Sequence, residues 1–164
     1  MLELGSPNIF ISNIFSRLEE NKIDVSNYQL DHICYRVETW ERYLQLTKVL
    51  ANKGELLAET MIGGRPIASF LLEKPFFYKN RSINCIELPS PKEGSPYREG
   101  FEHVEFVIDL PFEEFIQKYP SLNFKTKGMN KAVNADISIK FPEGVVKFHH
   151  HTLEYVISST GFSL

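Results

Sequence analysis

The sequence has few features of a secreted, disulfide-rich or nucleic-acid-binding protein. Its 164 residues contain only two cysteines, Cys34 and Cys85, without CxxC spacing, which excludes a disulfide scaffold and indicates reduced, buried thiols. The formal net charge is −3, and Lys and Arg occur in no block longer than two. Because binding to a polyanion needs clustered positive charge, we expect no nucleic-acid partner.

The chain also lacks a long apolar segment. No run approaches the roughly 20 residues that a membrane helix needs. The beginning, "MLELGSPNIF", has neither the basic start nor the apolar stretch of a secretion signal. We therefore expect a cytoplasmic protein without a membrane partner. With 43% hydrophobic residues, the chain is expected to form one globular unit with a substantial core.

The first predicted element is an amphipathic helix from Pro7 to Asn21. Ser6 and Pro7 form a good N-cap and first-turn pair. Apolar residues then recur at helical spacing, namely Ile11, Ile14, Phe15 and Leu18. Together with the connection that follows, this helix makes residues 1–28 an N-terminal segment ahead of the domain predicted for residues 29–164.

Residues 29–90 form the first predicted module, in the order strand, helix, strand, strand, strand. From Gln29 to Val37 apolar and polar residues alternate, which predicts a strand with one polar face. The stretch "ETWERYLQLTKVLANKG" predicts a helix that stops at Gly54. Beyond it, "ELLAETMI" and "RPIASFLLE" flank the paired glycines of a hairpin turn, and "SINCIEL" predicts the fourth strand.

The same order recurs in residues 101–157, after a proline-rich linker from Pro89 to Gly100. "FEHVEFVI" predicts the opening strand, "LPFEEFIQKYP" a short helix, "SLNFKTKGMN" a short strand and a loop, and "ADISIKF" and "GVVKFHH" the last two strands. An internal repeat of about 65 residues predicts pseudo-two-fold symmetry. The predicted fold is therefore α+β: two βαβββ modules form a curved mixed sheet, or half-barrel cup, preceded by the N-terminal helix.

Strand alternation assigns a set of polar side chains to the inner face of this cup. A lone histidine in a strand is more often structural than a ligand, but His32 and His103 occupy equivalent places at the start of the two modules. Glu87 joins them by the parity of the fourth strand, and His149 by the parity of the last strand. Imidazoles and a carboxylate around an open site are typical of a catalytic divalent metal. The predicted metal ligands are His32, Glu87, His103 and His149.

The fourth ligand has an alternative. His149 is favoured over His151 because it lies closer to the strand interior, and the repeat is expected to set it opposite Glu87. The next stretch, "TLEYVISS", is either a helix that begins at Thr152 or a continuation of the strand. The continuation would make Glu154 the fourth ligand.

The duplicated module, with histidine opening each half and glutamate in the fourth strand, resembles the vicinal oxygen chelate superfamily, which includes glyoxalase I and the extradiol dioxygenases. A closer resemblance is to the bacterial YecM family of uncharacterised proteins, carried by "DHICYRV", "ETMIGGRPIASFLL", "IELPSPKEGSPYREGFEHVEFVI" and "VVKFHHHTLEYVI". The resemblance implies a metal-binding cup with His32, Glu87 and His103 at the superfamily's ligand positions. The superfamily's last strand usually supplies glutamate, whereas this chain has His149 at or near that place.

The chemistry shared by the superfamily narrows the function. A metal with adjacent open sites binds two neighbouring substrate oxygens and stabilises the charge that develops on them. The resemblance thus implies a catalytic base, with Glu105 and Glu154 as candidates. It also implies a cationic clamp for an anionic substrate, with Arg36, Arg65 and Lys147 as candidates. The implied cofactor is a divalent zinc, nickel, manganese or iron ion, and the last ligand decides between proton transfer and iron-dependent oxygen chemistry.

Two functions remain open at this point. The first is a metal-dependent enzyme of the isomerase, lyase or dioxygenase type that acts on a small oxygen-rich metabolite through bidentate metal chelation. The second is a non-catalytic small-molecule or metal-binding protein with the same cup. Two histidines with a glutamate favour the enzyme, because a binding pocket alone does not need that set. In either case we expect a small-molecule ligand and a monomer or homodimer.

Overall fold

The computed structural model describes residues 3–160 as a seven-stranded sheet with helices packed against it. The N-terminal helix and first module comprise α1 (Asn8–Glu20), β1 (Gln29–Arg36), α2 (Trp40–Ala51), β2 (Gly54–Ile62), β3 (Arg65–Tyr78) and β4 (Arg81–Pro89). The second module comprises β5 (Gly100–Val107), α3 (Phe112–Gln117), a 3-10 helix (Lys127–Asn130), β6 (Asp136–Phe141), β7 (Gly144–His149) and α4 (Leu153–Thr160).

The sheet joins the two modules side by side. Its strand order is β2-β3-β4-β1-β5-β7-β6. The opening strands β1 and β5 pair antiparallel at the centre, and each pairs on its other side with the parallel last strand of its own module, β4 or β7. The same arrangement on both sides of the β1–β5 ladder confirms the predicted α+β fold and its pseudo-two-fold repeat.

Helices α1, α2 and α3 cover one face of this sheet, and polar side chains of the central strands lie on the other. On the first module, Leu46 and Leu50 of α2 pack with Ile86 and other buried residues of β3 and β4. On the second, Ile14 of α1 and Phe115 of α3 share a core with residues of β5 and β7. Because strand side chains alternate between faces, the residues between these apolar ones lie on the opposite face of the sheet. None of the helices between residues 3 and 160 is long and apolar enough to cross a membrane.

Local sequence signals explain several boundaries. Thr39 begins α2, where its hydroxyl accepts a hydrogen bond from the Arg42 amide over 3.1 Å. Gly63 and Gly64 adopt φ values of 60° and 80° in the β2–β3 hairpin, as a two-residue turn requires. After β7 the chain forms the helix α4, which is the helical alternative for "TLEYVISS".

Two elements differ from the sequence-based expectation. The second module has no separate strand between α3 and β6 in the described chain: residues 121–130 contribute a single bridge, Lys125 to Ser138, and a 3-10 helix. Phe124 is the one buried residue of that stretch, so no alternating apolar face holds a strand there. In the first module, β3 extends beyond the predicted "RPIASFLLE" and continues through Pro75. The β3–β4 ladder is interrupted between Leu71 and Phe76, so no ladder hydrogen bond is lost where proline has no amide hydrogen.

Candidate metal centre

His32 and His103 come from the two strands at the centre of the sheet. In the antiparallel β1–β5 ladder, His32 lies opposite Glu105 and Cys34 lies opposite His103. The pseudo-two-fold axis between these strands therefore exchanges His32 with His103, and Cys34 with Glu105. Both imidazoles are buried, with 0% and 3% of the residue exposed, and their ring centroids are 6.3 Å apart.

A β-bulge precedes each of these histidines. The β1–β5 register shifts at Asp31 and again at Glu102, and a bulge breaks the strict alternation of side chains. Each acid therefore reaches the histidine that follows it in sequence. His32 donates from Nδ1 to Asp31 Oδ2 over 2.8 Å, and His103 donates from Nδ1 to Glu102 Oε2 over 3.0 Å. These hydrogen bonds orient both rings and leave the Nε2 lone pairs available to a ligand.

The two Nε2 atoms point toward a common set of carboxylate oxygens. Glu105 Oε1 lies 3.4 Å from His32 Nε2 and 3.3 Å from His103 Nε2, and Glu87 Oε1 lies 3.7 Å from His103 Nε2. Among residues 3–160, neither Nε2 atom has a hydrogen-bond partner. One ligand atom each from His32, Glu87 and His103 lies within 4.8 Å of the others. Buried, unpartnered imidazole nitrogens beside carboxylates fit a divalent cation.

The electrostatics of the centre also favour a cation. Burial raises the pKa values of Glu102 and Asp31, but hydrogen bonds from the neighbouring imidazoles outweigh burial and lower each pKa to about 2. Burial likewise raises the pKa of Glu105, yet the positive charge of His32, together with the nearby His103 imidazole and Lys147, holds it well below its usual value. Burial lowers the pKa of His32, but Glu105 and Asp31 raise it well above its usual value. A divalent ion can replace the protons that these groups share.

Lys147 takes the place in β7 that Glu87 has in β4. In the parallel β1–β4 pair Glu87 lies beside Cys34, and in the parallel β5–β7 pair Lys147 lies beside Glu105. Since the axis exchanges Cys34 with Glu105, it also exchanges Glu87 with Lys147. The prediction that the repeat sets His149 opposite Glu87 is therefore wrong. Strand parity determines which face of β7 a residue lies on, but it does not distinguish between residues two apart on that face, such as Lys147 and His149.

The ammonium group of Lys147 faces the acids of the centre. Its Nζ lies 3.8 Å from Glu105 Oε1, and 27% of its side chain is exposed. Burial lowers the pKa of Lys147, but the negative charges of Glu105 and Glu87 outweigh burial and raise it above its usual value. Lys147 therefore remains a cation at neutral pH.

None of the three buried imidazoles of His32, His103 and His149 lines the neighbouring cavity, which reaches the centre at Glu87 and Glu105. His149 is fully buried, and its Nδ1 donates to Asn134 Oδ1 over 3.0 Å while lying 3.1 Å from Glu105 Oε2. Its Nε2 lies 3.4 Å from Asp31 Oδ2. His149 is thus buried against Asp31 and Glu105 and does not face the cavity, while His150 is exposed.

Three further predicted site residues lie away from this convergence. Glu154 is exposed on α4. Arg36 donates to the Ser95 carbonyl over 3.1 Å, and Arg65 donates to the Ser90 carbonyl, so both guanidinium groups hold the linker between the modules. None of the three lines the cavity above the histidines.

That cavity has a volume of about 320 Å³. Glu87, Glu105 and Lys147 line its charged end. Most of the remaining lining is apolar and comes from the β2–β3 hairpin, residues 131–136 and α4. Small-molecule pockets span roughly 300–1,000 Å³, so this volume suits a small metabolite.

The sequence also matches known proteins. Residues 4–160 match the family model described as YecM protein. This chain belongs to the YecM family. It is 28% identical to Protein YecM of Escherichia coli K12 over 155 residues, which cover 84% of this chain and 81% of that protein. It is 33% identical over 111 residues to an uncharacterized protein of Haemophilus influenzae, covering 68% of this chain and 58% of that relative, or little more than half of its length.

Solved structures share the fold of this YecM-family chain. A structural-genomics structure named Protein EC4020 has a TM-score of 0.76 at 25% identity and covers 92% of this chain and 86% of that one. The hypothetical protein BH1468 from Bacillus halodurans has a TM-score of 0.53 at 19% identity, covering 77% and 96%. The match to the family model and the identity with Protein YecM confirm the predicted YecM resemblance. The paired modules are also the architecture that a vicinal oxygen chelate resemblance implies.

Sequence reasoning missed three polar residues of this YecM-family centre. Asp31 and Glu102 were visible as the acid before each histidine in "DH" and "EH", a signal that repeats with the module. Asn134, with a φ of 50°, had no comparable signal, because it comes from a loop whose path to His149 depends on the folded chain.

Proposed function

We propose that this protein is a metal-dependent enzyme of the isomerase, lyase or dioxygenase type, acting on a small oxygen-rich metabolite that chelates a divalent ion. His32, Glu87 and His103 are the proposed ligands. The observation that carries the proposal is the pair of buried Nε2 atoms, without hydrogen-bond partners among residues 3–160 and both within 3.4 Å of one Glu105 oxygen. A structural histidine pair would satisfy these nitrogens with protein donors or acceptors.

Glu105 supplies the carboxylate that β7 lacks. Lys147 stands where the superfamily resemblance implies a glutamate, and Glu105 lies beside it on the next strand. Its Oε1 is almost equidistant from both Nε2 atoms. An ionised carboxylate at this point is a further donor to the ion. It is also within the site where a base accepts a proton from a substrate carbon or hydroxyl group.

The other residues bind and orient the reactants. When bound, a divalent ion polarises two substrate oxygens and stabilises the negative charge that develops on them. Lys147 neutralises an anionic substrate group at the charged end of the cavity, and Asp31 and Glu102 keep the two imidazoles in one tautomer and orientation. The apolar side chains of the cavity exclude water from the polar contacts, which strengthens them.

Metal content tests the proposal. Elemental analysis of dialysed protein from metal-replete expression should give about one divalent ion per chain, and His32→Ala and His103→Ala should each remove most of it. His150→Ala is the matched control, since His150 is exposed, and should retain the ion. Stoichiometric metal in the His32→Ala/His103→Ala double variant would contradict the proposal. An ion-loaded protein that converts none of a panel of hydroxy acids, oxo acids and vicinal diols would favour the non-catalytic binding function.

A further inference from the structure

The cavity above the candidate centre has two chemically different ends. Its charged end carries Glu87, Glu105 and Lys147, and Lys131 and Asp136 lie in the same lining. Lys131 Nζ is 2.6 Å from Asp136 Oδ2, so this pair neutralises itself. Lys147, whose Nζ lies 3.8 Å from Glu105 Oε1, is the cation of the lining that lies next to the histidine centre. The remaining lining is mostly aliphatic, including Met61, Ile62, Ile67, Val133, Leu153 and Val156.

The aliphatic residues of the lining, here called the aliphatic wall, are joined to the centre by hydrogen bonds to Asp31. The Leu153 amide at the start of α4 donates to Asp31 Oδ2 over 2.8 Å, the same oxygen that accepts from His32 Nδ1. This hydrogen bond sets α4 beside the cavity, where Leu153 and Val156 are buried against it. The apolar wall is thus a fixed part of the site.

The mouth of the cavity exposes apolar surface. Met61 and Ile62 near the tip of the β2–β3 hairpin are 66% and 52% exposed, and Val133 is 39% exposed. Apolar groups clustered at the edge of a concave site are typical of a surface that a ligand covers. Their burial by a ligand chain would contribute about 0.8 kcal/mol per methylene.

We propose that the cavity binds the anion of a small aliphatic acid with two adjacent oxygens, such as a 2-hydroxy acid, with its polar end at Lys147 and the histidine centre and its chain along the aliphatic wall. This inference rests on the proposed metal-dependent function. The volume of about 320 Å³ lies near the lower limit of roughly 300 Å³ for small-molecule pockets, which suits an acid with a short chain.

Calorimetric titration of zinc-loaded protein with straight-chain 2-hydroxy acids, from glycolate to 2-hydroxyoctanoate, tests the inference. Affinity should rise by up to about fourfold per methylene until the chain fills the cavity. Val156→Ser and Ile62→Ser should flatten this rise, because each removes part of the aliphatic wall, so that the loss of affinity grows with the length of the acid. Lys147→Met should lower the affinity of every acid by about tenfold or more, because a charge-assisted contact is lost. Ile9→Ser, at an exposed aliphatic residue of α1, should leave the series unchanged.

The opposite outcomes separate this inference from the proposed function. If the protein takes up no metal, both are overturned. If zinc binds but affinity does not rise with chain length, or 2-hydroxy amides bind as tightly as the acids, the substrate class alone is wrong. A zinc-loaded dimer that Ile62→Ser converts to monomer, without any change in acid binding, would show that the exposed apolar residues form a protein interface and would also overturn the inference.

Discussion

Lys147 occupies the place on β7 that Glu87 occupies on β4, as the equivalent registers of the two parallel strand pairs require. The two halves of the centre therefore carry opposite charges at equivalent points. In the second half an acid lies one strand nearer the centre of the sheet, at Glu105 on β5, and its Oε1 lies 3.8 Å from Lys147 Nζ. This exchange keeps two carboxylates at the centre and adds a cation beside them.

An acid at position 147 should strengthen metal binding. We expect Lys147→Glu to raise zinc affinity by about tenfold, corresponding to ~1.4 kcal/mol, because it replaces a repelling charge with a potential ligand. Competition with a chromophoric chelator measures the change. Lys140→Glu makes the same charge change at an exposed position of β6. An equal gain in that control would attribute the effect to net charge and contradict a specific role for Lys147.

Asp31 and Glu102, the acids that orient the two histidines, should differ in their contribution to the free energy of unfolding. Asp31→Asn and Glu102→Gln should each weaken zinc binding by about 10–100-fold, since both remove the charge that orients an imidazole. Asp31 also accepts the Leu153 amide, so only Asp31→Asn should lower the free energy of unfolding through α4, by about 1–3 kcal/mol. Zinc titration and urea denaturation of both variants measure the two effects. Equal stability losses would mean that Asp31 does not anchor α4.

His149 and Glu154 remain competing predictions for the fourth ligand. His149 is buried and contacts Glu105 and Asp31, whereas Glu154 is exposed on α4. We expect His149→Ala to weaken zinc binding, but less than His32→Ala, because the imidazole supports two acids of the centre. Glu154→Gln should bind zinc like the unchanged protein. Side-by-side titrations decide, and a loss confined to Glu154→Gln would restore the carboxylate alternative.

Metal binding should stabilise the fold. A ligand at 100 times its dissociation constant adds about 2.7 kcal/mol to the free energy of unfolding, which in a domain of this size raises Tm by about 5–10 °C. Thermal scans with zinc, and after its removal by chelator, measure the shift. His103→Ala should abolish the zinc-dependent shift, and Lys140→Glu should keep it. A shift of the same size in His103→Ala would place the stabilising ion elsewhere.

The sequence was sufficient for the architecture and for the faces of the key strands. Alternation put His32, Glu87 and His103 on one face, because each strand has a polar side between apolar residues that pack under helices. The repeat of "DH" and "EH" was likewise enough to relate His32 to His103. These inferences depend on the alternation of residues within one strand or on the repeat of the module, and both can be read from the linear sequence.

Register between distant strands was beyond such reasoning. The place of Lys147 depends on the register of β7 against β5, and strand parity alone does not distinguish Lys147 from His149, which lies two residues further along. The roles of Asp31 and Glu102 depend on bulges in a ladder between strands about 70 residues apart. The isolated bridge between Lys125 and Ser138 depends on β6 being the last strand of the sheet, with one edge open to pairing.

The position of a bound ion tests the account most directly. Crystals of zinc-loaded protein, measured at the zinc absorption edge, should show one anomalous peak per chain within about 2.0–2.1 Å of both His32 Nε2 and His103 Nε2, with Glu87 as a carboxylate ligand. Lys147 should remain outside the coordination sphere. A peak held by Asp31 and His149 instead, or no peak near either central histidine, would contradict the proposed metal centre.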